Sequence, residues 1–423
     1  MHATLRIPLA TCADTALDRL ARATRSAAVA RLDGATLLGE RAVLGGMRIP
    51  GRVSAGGGCR LFDAVGGSVA LNLTRAADRE LLPALFETDV LDPEDLAAIA
   101  SRIGASEAQA LVMRGRSMGL AIAAEHEAAR DATGACVELV AGHPTATSAC
   151  VELAPERPAA TGACVKLTQG CPTTAPTRPV PRVLDLSALW AGPLAAHLLW
   201  LAGAEVVKLE SRTRPDAMRA GDDTFYALLN QGKASVVLDF KDANDRQALL
   251  SLIATSDIVI EAARPRALAQ LGIDAAQLAR TTPGLVWMTI TGHGAEGEAA
   301  NWVGFGDDCG VSGGLSAALR TACGHTGFVG DAIADPLTGI FAALAAWDAW
   351  TLRRGGRFGL AMSRVVAHCL AEAREADPVA LESSLRAWGA AEGMPFPTIN
   401  QRPIGALPAL GENTRAYLHN LKS

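Results

Sequence analysis

From Arg182 onward the chain alternates short apolar runs with longer segments of helical composition, and no other feature constrains the fold so tightly. RVLDLS (182–187), EVVKLE (205–210), SVVLDF (235–240), DIVIEA (257–262) and GLVWMTITG (284–292) are rich in Val, Ile and Leu and lack a regular polar face. Strands that read as continuous apolar runs are buried on both faces, and strands separated by helices join in parallel. The pattern therefore predicts an α/β fold, a Rossmann-like parallel sheet with helices on either side. AGPLAAHLLWLAGA (191–204) supplies the first crossover helix and residues 244–255 a later one. The most apolar window, 188–204, is too short for a membrane span and carries Pro193 and His197, so it reads as a buried helix.

The first third of the chain has a different pattern. Residues 10–45 look helical, GRVSAGGGCRLFDAVGGSVALNL (51–73) reads as a glycine loop and hairpin, and 78–125 as amphipathic helices. Residues 1–130 are thus expected to form a smaller α+β domain. Residues 131–180 turn rich in Pro, Thr and Ala, a composition that prevents continuous helix or central strand, and are expected to be a linker. The linker repeats itself three times, with Cys136, Cys150 and Cys164 spaced 14 residues apart. Thiols so widely spaced, with no paired Cys or His nearby, lack the short spacing of a zinc site. The α/β domain is expected over 181–370, and 371–423 as an extension returning to it.

With 423 residues the chain exceeds the usual size of one core. A net charge of -5 gives no footprint for nucleic acid. The N-terminus has no uninterrupted apolar stretch of a secretory signal, and Asp14 and Asp18 argue against a transit peptide, so a cytoplasmic location is expected. Nine cysteines without a CxxC pair suggest reduced thiols.

Two short motifs invite function. GVSGG (310–314) matches the G-x-S-x-G nucleophile elbow, with Asp335 and His368 following in hydrolase order, and makes a serine hydrolase using Ser312 one alternative. The elbow needs an apolar strand before it, whereas GFGDDC precedes this one. The turn after RVLDLS carries no G-x-G-x-x-G, which argues against a dinucleotide enzyme.

A wider resemblance accounts for more of the chain. VLDLSALWAGPLAAHLLWLAGAEVVKLES is very similar to the opening of the family III CoA-transferases, the CaiB/BaiF family. NQGKASVVLDFKD (230–242), SDIVIEAARPRALAQLGID (256–274), TITGHGAEG (289–297), RRGGRFGLAMSRVVAHCL (353–370) and LPALGENT (407–414) resemble later landmarks of that family in the same order. The resemblance implies transfer of CoA from an acyl-CoA to a carboxylic acid, with Asp335 in ADPLTG as nucleophile and Asp331 as second candidate. An aspartate, with an ordinary pKa of about 4, needs no base to be nucleophilic at neutral pH. The alternative is that Asp335 merely caps the following helix, and the two roles are compatible. The resemblance further implies CoA contacts from Lys208, Lys233 and Arg264 and from the AGP turn at Gly192 and Pro193. CoA would be a substrate, with no metal or redox cofactor, no membrane or nucleic-acid partner, and a homodimeric assembly. A racemase branch of the family carries a histidine where this chain has Phe305, which favours transfer over racemisation of 2-methylacyl-CoA; His197, His293 and His325 remain possible bases. Ala262, Ala263 and Gly310 depart from the family pattern, so a non-catalytic CoA-binding relic is another alternative.

In that family the small domain follows the catalytic aspartate. Here residues 35–125 resemble it, so the chain reads as permuted, with the small domain first. SAGGG (54–58) would then supply a glycine loop, Gly56, Gly57 and Gly58, that shields acyl-aspartyl intermediates from water.

Overall fold

The computed structural model describes residues 5–125, 127, 178–263 and 265–420. The expected linker, including all three repeats, lies outside the described residues up to position 177, as does Arg264.

A small antiparallel sheet comes first in the chain: β1 (Cys59–Ala64), β2 (Gly67–Asn72) and β3 (Ala121–Ala124). Val65 and Gly66 turn the hairpin, with Gly66 at φ +88°. One face of this sheet packs Val69, Leu71 and Ile122 against Ile99, Ile103 and Leu111 from the helices between β2 and β3. The opposite face, with Cys59, Leu61 and Ala70, rests on Val311 and Phe328 of the larger unit.

The larger unit is a parallel sheet of β4 (Arg182–Asp185), β5 (Glu205–Ser211), β6 (Ala234–Leu238), β7 (Ile258–Glu261), β8 (Val286–Thr291) and β9 (Gly356–Ala361). Its order is β9-β8-β7-β4-β5-β6, all pairs parallel. Counted from β4 this is the 3-2-1-4-5-6 order of doubly wound sheets, whose ligand crevice opens beyond the carboxyl ends of the first and fourth strands. Those strands are β4 and β7.

The apolar runs are continuous because the pleat divides each of them between two cores. Val183, Ile258, Ile260, Val286 and Met288 face one side, where they meet the helices Ala191–Leu201 and Ala334–Thr351. Leu184, Val259 and Trp287 face the other, against Leu249, Leu252 and Ile253 of the helix Ala243–Ala254. A period of two residues thus places these apolar strand residues alternately in one core and the other.

The N-terminal helices Ala10–Thr24 and Gly34–Leu44 belong to the first of these cores, not to the small sheet. The packing around the small sheet begins at β1, so the unit expected over 1–130 is narrower at its N-terminal side. Helix Gly34–Leu44 starts where Asp33 accepts the Thr36 N–H at 2.8 Å, and Glu40 within it forms a buried pair with Arg402. Beyond the helix Pro378–Ala390 the chain returns along the edge strand β6, where Ser235 bonds to Gly411 and Asn413. No described helix is long and apolar enough to cross a membrane.

Candidate active site

Asp335 lies in the first turn of the Ala334–Thr351 helix, its N–H donating to the Ala332 carbonyl at 2.9 Å. Ala332 has φ +41°, a left-handed conformation uncommon for a residue with a Cβ, and its N–H donates to Asp307 at 3.1 Å. The strained turn ahead of Asp335 is therefore held by a neighbouring carboxyl. Strain retained by surrounding structure is a frequent mark of functional sites.

The backbone N–H groups of Ala191 and Gly306, the first residues of the helices Ala191–Leu201 and Gly306–Ser312, favour the charged form of the Asp335 carboxyl. Gly306 is required by this approach, since a Cβ there would stand 2.3 Å from both Asp335 Oδ2 and the Ala332 carbonyl. Positive helix ends and N–H donors favour a carboxylate.

Burial opposes them. It pushes Asp335 up to about 7, with Arg41 pulling it down and Asp307 raising it. Asp307 rises to about 6 through burial and the charge of Asp331, and Asp308 to about 7, again mainly through burial. Asp308 and Asp331 are buried, whereas Asp307 and Asp335 keep part of their surface accessible.

The N-terminal helix and the glycine loop complete the cluster. Arg41 grips Asp331 with two hydrogen bonds, one from Nε at 2.8 Å, and stacks over the Trp190 ring at 4.9 Å. Asp331, the second candidate nucleophile, is thereby engaged as an anchor. Ser54, buried at the start of the loop, lies by Asp307, whose charged form it favours, and accepts the Cys59 N–H at 3.1 Å. Gly57 sits at φ +76° with open space around it, and a Cβ on Gly56 would lie 3.5 Å from Arg41 Nη2. The loop that sequence placed at Gly56, Gly57 and Gly58 thus borders the carboxyl cluster around Asp335.

Lys208 and Lys233, the expected CoA contacts, lie beneath the turn from β4 into the helix Ala191–Leu201 and are engaged within the protein. Lys233 Nζ, fully buried, donates to Asp185 at 2.9 Å, the Pro193 carbonyl at 2.8 Å and Asn230 at 3.0 Å, which uses all three of its donors. Burial brings its pKa down to about 8. Lys208 Nζ donates to the Ser187 carbonyl at 2.6 Å and to Asp216 at 3.0 Å, also in the interior. Neither ammonium is presented to a phosphate; together they neutralise Asp185 at the end of β4. Gly192 is needed where strand and helix meet, since a Cβ would lie 2.2 Å from Ser187 Oγ. Gly192 and Pro193 do stand in the first strand-to-helix turn, beside the crevice.

Ser312 is not on an elbow. It ends the helix Gly306–Ser312 and donates to Glu127 at 2.8 Å, while His368 pairs with Glu372 at 3.7 Å. Burial holds His197 and His293 well below the usual histidine range, so both are neutral, and His325 lies exposed. His293, Asp308 and Cys309 gather within 4.8 Å, but each has protein partners: Arg116 for His293, the Phe305 N–H and Asn72 for Asp308, and the Gly292 carbonyl for Cys309. Sequence reasoning missed Arg41, Trp190 and Asp307, and named Ser54 only as the start of the SAGGG loop. Only the acids of GFGDDC offered a signal, as polar residues in an otherwise apolar surrounding.

The model of CoA-transferase family III matches residues 181–370. The chain is similar to the succinyl-CoA–D-citramalate CoA-transferase of Chloroflexus aurantiacus, 32% identical over 180 residues, 40% of this chain and 45% of that protein. It is 31% identical to the succinate–glutarate CoA-transferase of Agrobacterium fabrum over 190 residues, 41% of this chain and 48% of that protein. A probable fatty acyl-CoA transferase of Mycobacterium tuberculosis is 34% identical over 136 residues, 30% of this chain and 34% of that protein. The chain spans about half the length, or less, of these relatives. Among solved structures, that of a hypothetical Mycobacterium tuberculosis protein aligns with a TM-score of 0.43 at 28% identity, over 48% of this chain and 61% of the other.

Proposed function

We propose that the protein moves CoA from an acyl-CoA thioester to a carboxylic acid, with Asp335 as nucleophile, a reading supported by the match of residues 181–370 to the model of CoA-transferase family III. The placement of the Asp335 carboxyl carries this reading: it is partly accessible, packed closely against Gly306 at a helix start, and set beside the strand-to-helix turn of the crevice. A carboxylate attacks the thioester carbon and expels CoA thiolate, leaving an acyl-aspartyl anhydride. The thiolate attacks the aspartyl carbonyl and releases the donor acid, leaving an aspartyl-CoA thioester. The acceptor carboxylate attacks that thioester, forming a second anhydride and freeing the thiolate again. Attack of the thiolate on the acceptor carbonyl yields the new acyl-CoA and regenerates Asp335. Atoms and charge balance at every step without an added proton donor.

Each anhydride is open to hydrolysis, so water must be kept out while it exists. The loop of Gly56, Gly57 and Gly58 supports that role by its position and by the left-handed conformation of Gly57. Phe305 at the entry to the Gly306–Ser312 helix offers no proton, which favours transfer over racemisation. The same proposal takes the unit around β1–β3 as the family's small domain moved ahead of the α/β domain, and the assembly as a cytoplasmic homodimer.

The test is transfer from a panel of acyl-CoAs to carboxylic acids, followed by chromatography of the CoA esters. Asp335→Asn should abolish transfer and Ser312→Ala should retain it. Retained transfer in Asp335→Asn would overturn the assignment.

A further inference from the structure

We infer that Arg41 is a positioning residue for the carboxyl cluster around Asp335: the N-terminal helix Gly34–Leu44 delivers its guanidinium to the site, where Asp331 and Trp190 fix it. This inference rests on Asp335 being the nucleophile proposed above.

Two partners restrain the guanidinium. Nε and Nη2 both bond to Asp331, whose carboxylate is fully buried, and the planar fork of arginine makes such a two-point grip directional. The opposing surface is the Trp190 ring, 4.9 Å away, and Trp190 directly precedes Ala191, whose N–H favours the Asp335 anion.

So held, the cation acts on Asp335 through space, not by a direct hydrogen bond. That distinction matters for chemistry. A carboxylate gripped by arginine would lose its reactive lone pairs, whereas one facing a cation already committed to Asp331 keeps them. The charged and titratable groups around Asp335 are Asp307, Asp308 and Cys309 from the helix Gly306–Ser312, Asp331 from the preceding loop, and Arg41. The helix Ala191–Leu201 contributes a backbone N–H. Within that set Arg41 is the counterweight to four other acidic groups. Its supply by an N-terminal helix also makes the site depend on a segment far from the aspartate in sequence.

The test is carbon-13 NMR titration of labelled aspartate carboxyls, with Asp335→Asn identifying the resonance. The experiment reads the ionisation of Asp335 whether or not any acyl-CoA is turned over, so it separates this inference from the proposed activity. In Arg41→Gln the midpoint should move up by roughly 1–3 units, while Arg41→Lys should restore most of the native value. The double variant Arg41→Gln with Asp331→Asn, which removes the cation and its partner together, should also move it up and serves if Arg41→Gln does not fold. If the protein is active, the acid limb of the kcat/KM profile should move with the midpoint. An Asp335 midpoint that is unmoved in Arg41→Gln, or in the double variant where that one is used, overturns the inference.

Discussion

At Asp335 burial works against the helix ends and N–H groups that favour its charge, and burial prevails in lifting it to about 7. The consequence for stability has a definite sign. Because the folded value lies above the ordinary one, the protonated group contributes stability that is fully present below about pH 4. That contribution is lost as pH rises through about 7. Asp335→Asn cannot ionise, so its stability relative to the native chain should improve from pH 5 to pH 8, by on the order of 1–3 kcal/mol. Urea unfolding at the two pH values measures this, and an identical difference at both would contradict it. Activity should run the other way, rising through about pH 7 as the nucleophile ionises. Of the site residues, Asp335 was legible in sequence because a short motif surrounds it. Arg41 was not, because an arginine on an amphipathic helix looks the same whether it faces water or an acid 290 positions away.

Among the elements, the turn from β4 into the helix Ala191–Leu201 is governed by charge inside the fold. Asp185, Lys208 and Lys233 form one buried group, and removing a single member leaves charge uncompensated. Lys233→Ala should therefore destabilise the protein by roughly 3–5 kcal/mol, read by urea unfolding. A tenfold loss of CoA affinity at unchanged stability would instead restore the phosphate-binding role. Sequence could not separate these possibilities, since a lysine at the edge of an apolar strand is compatible with either. The glycine loop makes a separate prediction. Gly57→Val faces open space but a left-handed backbone, at a cost of about 1–2 kcal/mol. By distorting the cover it should raise acyl-CoA hydrolysis relative to transfer; unchanged partitioning would sink the shielding role.

For the whole molecule, the α/β sheet could be read from sequence because both of its faces are covered, so burial wrote continuous apolar strands from β4 to β8 into the chain. Where the N-terminal helices pack was not legible, because an apolar helix face does not specify which core it joins; Ile7, Leu17, Leu37 and Ile49 complete the larger one. Their packing brings Arg41, and with it the loop at Ser54, to the start of the Ala334–Thr351 helix. The site is thus assembled from both ends of the described chain, while the family match covers only 181–370. The measurement that bears most directly on the central claim is chemical trapping of the enzyme-bound intermediate. After incubation with an acyl-CoA, borohydride reduction and peptide mass mapping should find Asp335 reduced to homoserine, in a CoA-dependent manner. Modification at Ser312, or reduction of another carboxyl with Asp335 intact, would contradict it.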